Sequence, residues 1–339
     1  MNQNQQTDSP EITVVVCAFN AEKYLKKSLD SLLTQTYPRI KIIVIDDGSI
    51  DATPNIIRQY QERGRIHAEF LSPNRGTAYV RQKGLDLVQT DLMMFFDADD
   101  IALPGLVDKQ VGKILEDEKC IAVGSYAYYI GPDDDAKRLA IQAIGVTNKI
   151  DFFQRFNDAK IYYTTPFTLF KRAYALKAGG YRQEGFEEYH GIRLQDISED
   201  VDLWSRMADF GRHGYFMLTI PEGLVLYRKM PGTLSARNSV WMGRKLRWIK
   251  NCVQNRRKGR KEKRFHNYIS GLGHREKLMY FLEDSGGYCY KSFTFKVLEK
   301  KYIQAFLWVG TSFLLSPGFV LKKLKTQLSI PSFLNRKEN

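Results

Sequence analysis

Over its first hundred residues the chain alternates apolar runs of strand length with segments of helical period. The run "EITVVVCAF" (11–19) is continuous and β-branched, and in the following "NAEKYLKKSLDSLLTQ" the residues Tyr24, Leu25, Leu29, Leu32 and Leu33 recur at helical spacing. "IKIIVIDDGS" (40–49) repeats the strand pattern, and "DATPNIIRQYQERG" predicts a helix capped by Asp51 and stopped at Gly64. A third unit follows in "IHAEFLS" and "GTAYVRQKGLDLVQ", and "LMMFF" predicts a fourth buried strand. Repeated β–α units imply an α/β fold, with a mainly parallel sheet flanked by helices.

Strands two and four both run into acid, Asp46-Asp47 and Asp97-Ala98-Asp99-Asp100. In open α/β sheets ligands bind at the carboxyl ends of strands, so these acids fall where a ligand would be held. On an extended backbone Asp97 and Asp99 point the same way, and two converging carboxylates repel unless a cation or protons lie between them. A hard divalent ion, Mn2+ or Mg2+, suits such oxygen donors and completes its shell with phosphates and water. The plainer alternative is a helix cap: Asp100 before a helix starting near Pro104.

The ordered set "VVVCAFNAEKYLKKSLDSLLTQTY", "IIVIDDGSIDAT", "NRGTAYVRQKGL", "MMFFDADD", "GGY" and "SEDVDLWSRM" resembles the family 2 glycosyltransferases, inverting enzymes of the GT-A (Rossmann-like) fold. The match spans roughly residues 11–235. It implies a nucleotide-diphosphate sugar donor, UDP being the expected nucleotide, bound over the strand ends through a divalent metal. Position by position, it implies that Phe19 stacks near the base and Asp47 accepts a hydrogen bond from it, while Asp46 fixes the loop. Arg81 would face the diphosphate or brace the acidic loop; pairing with Asp46 or Asp97 is the structural alternative. Asp99 matches the direct metal ligand of the D-x-D pair, and Asp97 a ribose or water-bridged contact.

Glu199-Asp200 matches the family's E-D pair, with Asp200 the expected general base and Glu199 an expected substrate contact. Inversion is a single displacement, in which the attacking hydroxyl must lose its proton as the new bond forms. The metal neutralises the leaving diphosphate, so no second protein acid is required. A helix N-terminus capped by Ser198 explains the same acids structurally, and both readings hold together. Two departures from the family pattern matter. A longer loop, "RQEGFEEYHGIRLQDIS", follows "GGY" and carries His190, either an acceptor contact or a surface residue. "RKLRW" has Arg244 where processive relatives have glutamine, which implies transfer of one sugar per encounter.

Charge divides the chain. Residues 241–339 hold 22 Lys and Arg against 6 Asp and Glu, a net of +16, whereas the first 240 hold 29 against 32. The stretch 302–321 has no charge over 20 residues and is followed by "KKLK". At helical rise it would be about 30 Å long, enough to span a bilayer. Pro317 and two glycines favour an anchor lying on an anionic membrane, with a packed core helix as the alternative. The polar first ten residues contain no secretory signal, and four scattered cysteines without a CxxC pair read as buried reduced thiols.

These patterns predict a disordered 1–10, a catalytic domain over 11–238 and a helical, basic, membrane-associating region over 239–339. The function expected is transfer of a hexosyl or N-acetylhexosaminyl group to a saccharide or lipid-linked saccharide in surface glycan synthesis. The expected location is the cytoplasm, peripherally at the inner face of the cytoplasmic membrane. A nucleic-acid-binding protein is the alternative that the basic region allows, but no recognised RNA-binding signature accompanies it. A nucleotidyltransferase would carry a glycine-rich loop after the first strand, and "CAFNAEKY" has no glycine.

Overall fold

The structure, a computed structural model, describes residues 9–186, 192–230, 238–298 and 301–321. Residues 1–8 of the expected disordered N-terminus and His190 lie outside the described residues. The chain forms two compact units: Met1–Gln183 with Glu199–Lys229, and Glu184–Ser198 with Met230–Asn339. The second therefore takes in the long loop that the sequence reading assigns to the first.

The first unit begins as the alternation predicts, with β1 (Ile12–Ala18), α1 (Leu25–Leu33), β2 (Ile40–Asp46), α2 (Thr53–Glu62), β3 (His67–Phe70), α3 (Thr77–Leu87) and β4 (Leu92–Asp97). It continues with β5 (Ile101–Ala102), α4 (Leu106–Leu115), β6 (Cys120–Ile130), β7 (Ala140–Gln142), α5 (Lys149–Asn157), β8 (Leu169–Lys171), α6 (Arg172–Lys177), α7 (Glu199–Met207) and β9 (Phe216–Arg228). The strands form one sheet in the order β3-β2-β1-β4-β8-β6-β9-β5, with β7 on β6. The first four pair in parallel. β8 then runs antiparallel to both β4 and β6, so β6 points the same way as β4.

Val14, Val15 and Val16 of β1 are wholly buried, as expected of a strand covered on both faces. The parallel register sets Ala18 beside Asp46 and Cys17 beside Asp97, so the two acidic strand ends flank the end of β1. Asp51 does hold the start of α2, its carboxylate accepting the Thr53 N–H at 2.9 Å. Cys120 is buried, but Cys17 is only half-buried, a departure from the buried-thiol expectation.

The second unit is helical: α8 (Ser239–Arg257), α9 (Phe265–Ser270), α10 (His274–Leu298) and α11 (Tyr302–Leu315). Its core is built on Trp248, whose ring meets Phe186 at 5.4 Å and Phe265 at 5.8 Å. Arg247, from the "RKLRW" segment, grips both carboxylate oxygens of Asp284 at 2.6 Å. α11 ends at Leu315, and Pro317 explains why: proline removes a helical donor and disfavours helix at the residue before it. Among the described residues no helix is long and apolar enough to cross a membrane.

Candidate functional site

At the end of β2 the two aspartates divide their tasks. Asp46 is buried and receives the hydroxyl and the N–H of Ser49; burial raises its carboxyl above the usual range and the Ser49 bonds oppose this. Asp47 is also buried, and its carboxylate accepts from Asn74 Nδ2 at 2.8 Å, Arg75 N at 2.7 Å and Gly76 N at 2.9 Å. The loop before α3 is thereby wrapped around one carboxylate. Gly48 permits this approach, with φ at +73° and a β-carbon position only 2.9 Å from Asn74 N. A carboxylate offers about four lone-pair sites, so about one remains for a ligand donor.

The end of β4 is different. The strand stops at Asp97, and the Asp100 N–H bonds to the Asp97 carbonyl at 3.2 Å. Asp97 and Asp99 are thus juxtaposed by a turn, correcting the expectation of an extended backbone. Asp99 is pushed up to about 6 by burial and by the neighbouring charge of Asp97. Asp100 does not cap the next helix either: α4 starts at Leu106 behind a left-handed Gly105. Its Oδ1 accepts the Arg228 N–H at 2.9 Å, while its buried Oδ2 has no hydrogen-bond partner. Burial, then Asp99 and Asp97, raises the Asp100 carboxyl well above the ordinary carboxylate range.

Arg81 joins this turn to α7. Its guanidinium, buried on α3, meets Asp97 Oδ1 at 3.2 Å and Glu199 Oε1 at 3.0 Å, so the arrangement follows the bracing alternative with Asp97 as partner. Burial disfavours the cation, but Glu199 and then Asp97 outweigh it and hold Arg81 charged. Asp200, next on α7, is half-buried, and its Oδ1 accepts the Val201 N–H at 2.8 Å. Ser198 has a φ of +53°, a left-handed conformation unlike the extended one of an ordinary capping serine.

Phe19 lies just beyond β1 with half its surface exposed, a free ring at the strand ends. The Cys17 thiol draws the other residues together: burial pushes it up to about 12, and it senses the charges of Arg81, Asp97, Glu199 and Asp47.

Arg228, on β9, lies in the segment "YRKMPGTLSAR", whose resemblance to the family's closing active-site segment gave this residue no role of its own. Its Nε donates to the Asp99 carbonyl at 2.9 Å, Nη1 to the carbonyls of Gly131 and Pro132, and Nη2 to Asp135 at 2.6 Å. The buried guanidinium clamps the acidic turn to the loop after β6. An arginine closing an apolar strand, "LVLYR", was the available signal.

The donor set suits a hard cation. Among the described residues no group of three or more His, Cys, Asp or Glu side chains forms a metal cage. A repelled carboxylate pair at a ligand-facing turn instead fits an ion that takes its remaining oxygens from phosphate and water.

Comparison with known proteins agrees with this layout. Residues 13–177 match the family model described as glycosyl transferase family 2. Those residues belong to that family. Glycosyltransferase GlyA of Streptococcus pneumoniae serotype 4 is 38% identical to this chain over 116 residues, covering 34% of this chain and 17% of the relative. The chain thus spans about a sixth of that relative's length. The fold resembles S. aureus TarS 1–349 in complex with UDP-GlcNAc, with a TM-score of 0.52, 14% identity and 92% of each chain covered. It also resembles the mannosyltransferase PcManGT from Pyrobaculum calidifontis in complex with GDP-Man and Mn2+, with a TM-score of 0.53, 17% identity, and 94% and 88% covered. At such identities the likeness shows the fold, a GT-A-type mixed sheet with flanking helices.

Proposed function

We propose that the chain is a metal-dependent inverting glycosyltransferase that moves one sugar from a nucleotide-diphosphate donor to a hydroxyl of a saccharide or lipid-linked saccharide. The observation that carries this reading is the Arg81 bridge, which holds the acidic turn of β4 and the E-D pair of α7 in one rigid frame. Phe19 and the remaining acceptor site of Asp47 receive the base, and UDP is the preferred nucleotide. Asp99 holds a Mn2+ or Mg2+ ion, with Asp97 beside it on the ribose or as a second ligand. When bound, that ion neutralises charge growing on the leaving diphosphate. Asp200 takes the proton of the attacking hydroxyl, and Glu199, tied to Arg81, fixes its helix. Neighbours of the same fold that hold UDP-GlcNAc, or GDP-Man with Mn2+, support the donor class and the ion.

Titration calorimetry of UDP, GDP and their sugars, with and without Mn2+, tests this directly. Binding that requires metal, vanishes in Asp99→Ala and survives in Asp200→Asn is expected, with turnover in Asp200→Asn falling about 10²–10⁴-fold. No metal-dependent nucleotide binding by the wild type would overturn the proposal.

In this reading residues 11–238 carry catalysis and 239–339 place the enzyme on an anionic membrane for surface glycan synthesis. α11 supports the second assignment: Tyr302, Ile303, Phe306, Leu307, Phe313 and Leu314 are exposed at helical spacing, Ile303 to 83% and Leu314 to 84%. Large apolar side chains beside a strongly basic composition suit an interface between acyl chains and acidic headgroups. Ile303→Asp with Phe306→Asp should abolish sedimentation with phosphatidylglycerol vesicles. A salt-sensitive RNA band shift without vesicle binding would favour the nucleic-acid alternative instead.

A further inference from the structure

A cavity of about 370 Å³ in the first unit, lined by Tyr126, Val146, Asp151, Gln154, Arg155 and Lys160 among others, takes no part in the donor site. Its volume is that of a small-ligand pocket. Tyr126 lies on β6 beyond Val123, the residue joined through Leu169 of β8 to Met94 of β4. Because β6 and β4 run the same way, Tyr126 lies toward the end of the sheet at which β4 reaches Asp97.

Its walls are firmly built. The Thr219 N–H bonds to the Val146 carbonyl at 2.7 Å, and Gly145, with φ at +106°, lies so close that a β-carbon would sit 1.9 Å from Thr219 Oγ1. Asn148 caps α5 by accepting the Asp151 N–H at 2.9 Å, which fixes the helix that presents Gln154 and Arg155.

The charges of the cavity are unequally satisfied. Asp151 accepts from Asn148 Nδ2 at 2.9 Å, and Lys160 pairs with Asp158 at 2.6 Å. Arg155 is exposed and has no ion pair among the described residues. Tyr163 connects this cation to the chemistry: burial pushes its hydroxyl up to about 12, the charge of Asp200 adds to this and that of Arg155 opposes it. The geometric link is its neighbour Tyr162, whose N–H donates at 3.2 Å to Ser205 Oγ on α7, the helix that carries Asp200.

We propose that this cavity is an acceptor subsite, reached past Tyr163 from the attacked hydroxyl, in which Arg155 binds a carboxylate or phosphate carried by the acceptor saccharide. The inference rests on Asp200 marking the acceptor side of a glycosyltransferase. A guanidinium binds either anion through paired N–H donors, Tyr126 offers a ring for the apolar face of a sugar, and Gln154 can serve its hydroxyls.

Ligand-observed NMR on the full chain, using methyl glucuronide, glucose 6-phosphate and neutral methyl glucoside as probes, tests the proposal. At least one charged sugar should bind about five- to tenfold tighter than the neutral one, the scale of one ordinary net hydrogen bond. Which of the two binds better distinguishes carboxylate from phosphate. Arg155→Ala should remove the preference and Arg155→Lys should keep part of it. Equal binding of charged and neutral sugars by the wild type, or a preference that survives Arg155→Ala, overturns it. Titration of the wild type with UDP and GDP is the separate arm: failure there removes the donor reading, while an Arg155-dependent preference for charged sugars would still uphold the anion subsite.

Discussion

Two acidic strand ends lie on either side of β1, and they are built in opposite ways. At β2 the carboxylate of Asp47 is surrounded by donors of its own chain, and Asp46 is held by Ser49. At β4 the carboxylates crowd one another, Asp99 is pushed up to about 6, and an oxygen of Asp100 is buried without a partner. Identical chemistry thus serves two ends. Satisfied acids hold a loop in shape, whereas acids left in mutual repulsion store an affinity that an external cation can release.

The strongest way to break this contrast is through the residue that couples the β4 turn to α7. Arg81→Ala takes away the buried cation that Asp97 and Glu199 share, and urea unfolding should show a loss of about 3–5 kcal/mol. A loss below about 1 kcal/mol would mean that the bridge is not what holds the turn. Asp99→Asn should do the reverse: turnover falls about 10²–10³-fold with the loss of metal-dependent donor binding. The metal-free protein should stay within about 0.5 kcal/mol of the wild type in the same unfolding assay, since only a repelled charge is removed.

Asp47→Asn tests the satisfied end, where an amide cannot accept three donors at once. A loss of about 2–3 kcal/mol is expected in urea unfolding. If Asp47→Asn were neutral and Asp99→Asn destabilising, the two ends would have to exchange roles. Ser49→Ala removes one bond to Asp46 and should cost about 1 kcal/mol by thermal unfolding, the smallest of these effects.

Much of this was legible in the chain. The β-branched runs and the helical periods that follow them place β1 to β4 and their helices, because parallel strands buried on both faces must be apolar throughout. The acidic ends stood out because they interrupt those runs. In the mixed half of the sheet β8 and β5 did not, since one is only three residues long and the other two, too short for any period to register.

By itself the sequence determined the first four strands and the acids that end two of them, and, by resemblance over roughly residues 11–235, the family. Local periodicity and residue order carry those facts without any need of folding. Only the tertiary structure decided which carboxylates are satisfied. Asp47 meets its donors 27 to 29 positions away, Asp100 meets Arg228 across 128, and Arg81 meets Glu199 from a different helix. Hydrogen bonds and desolvation act through space over a few ångströms, so the partners that set a buried group's charge are fixed only when distant segments pack together.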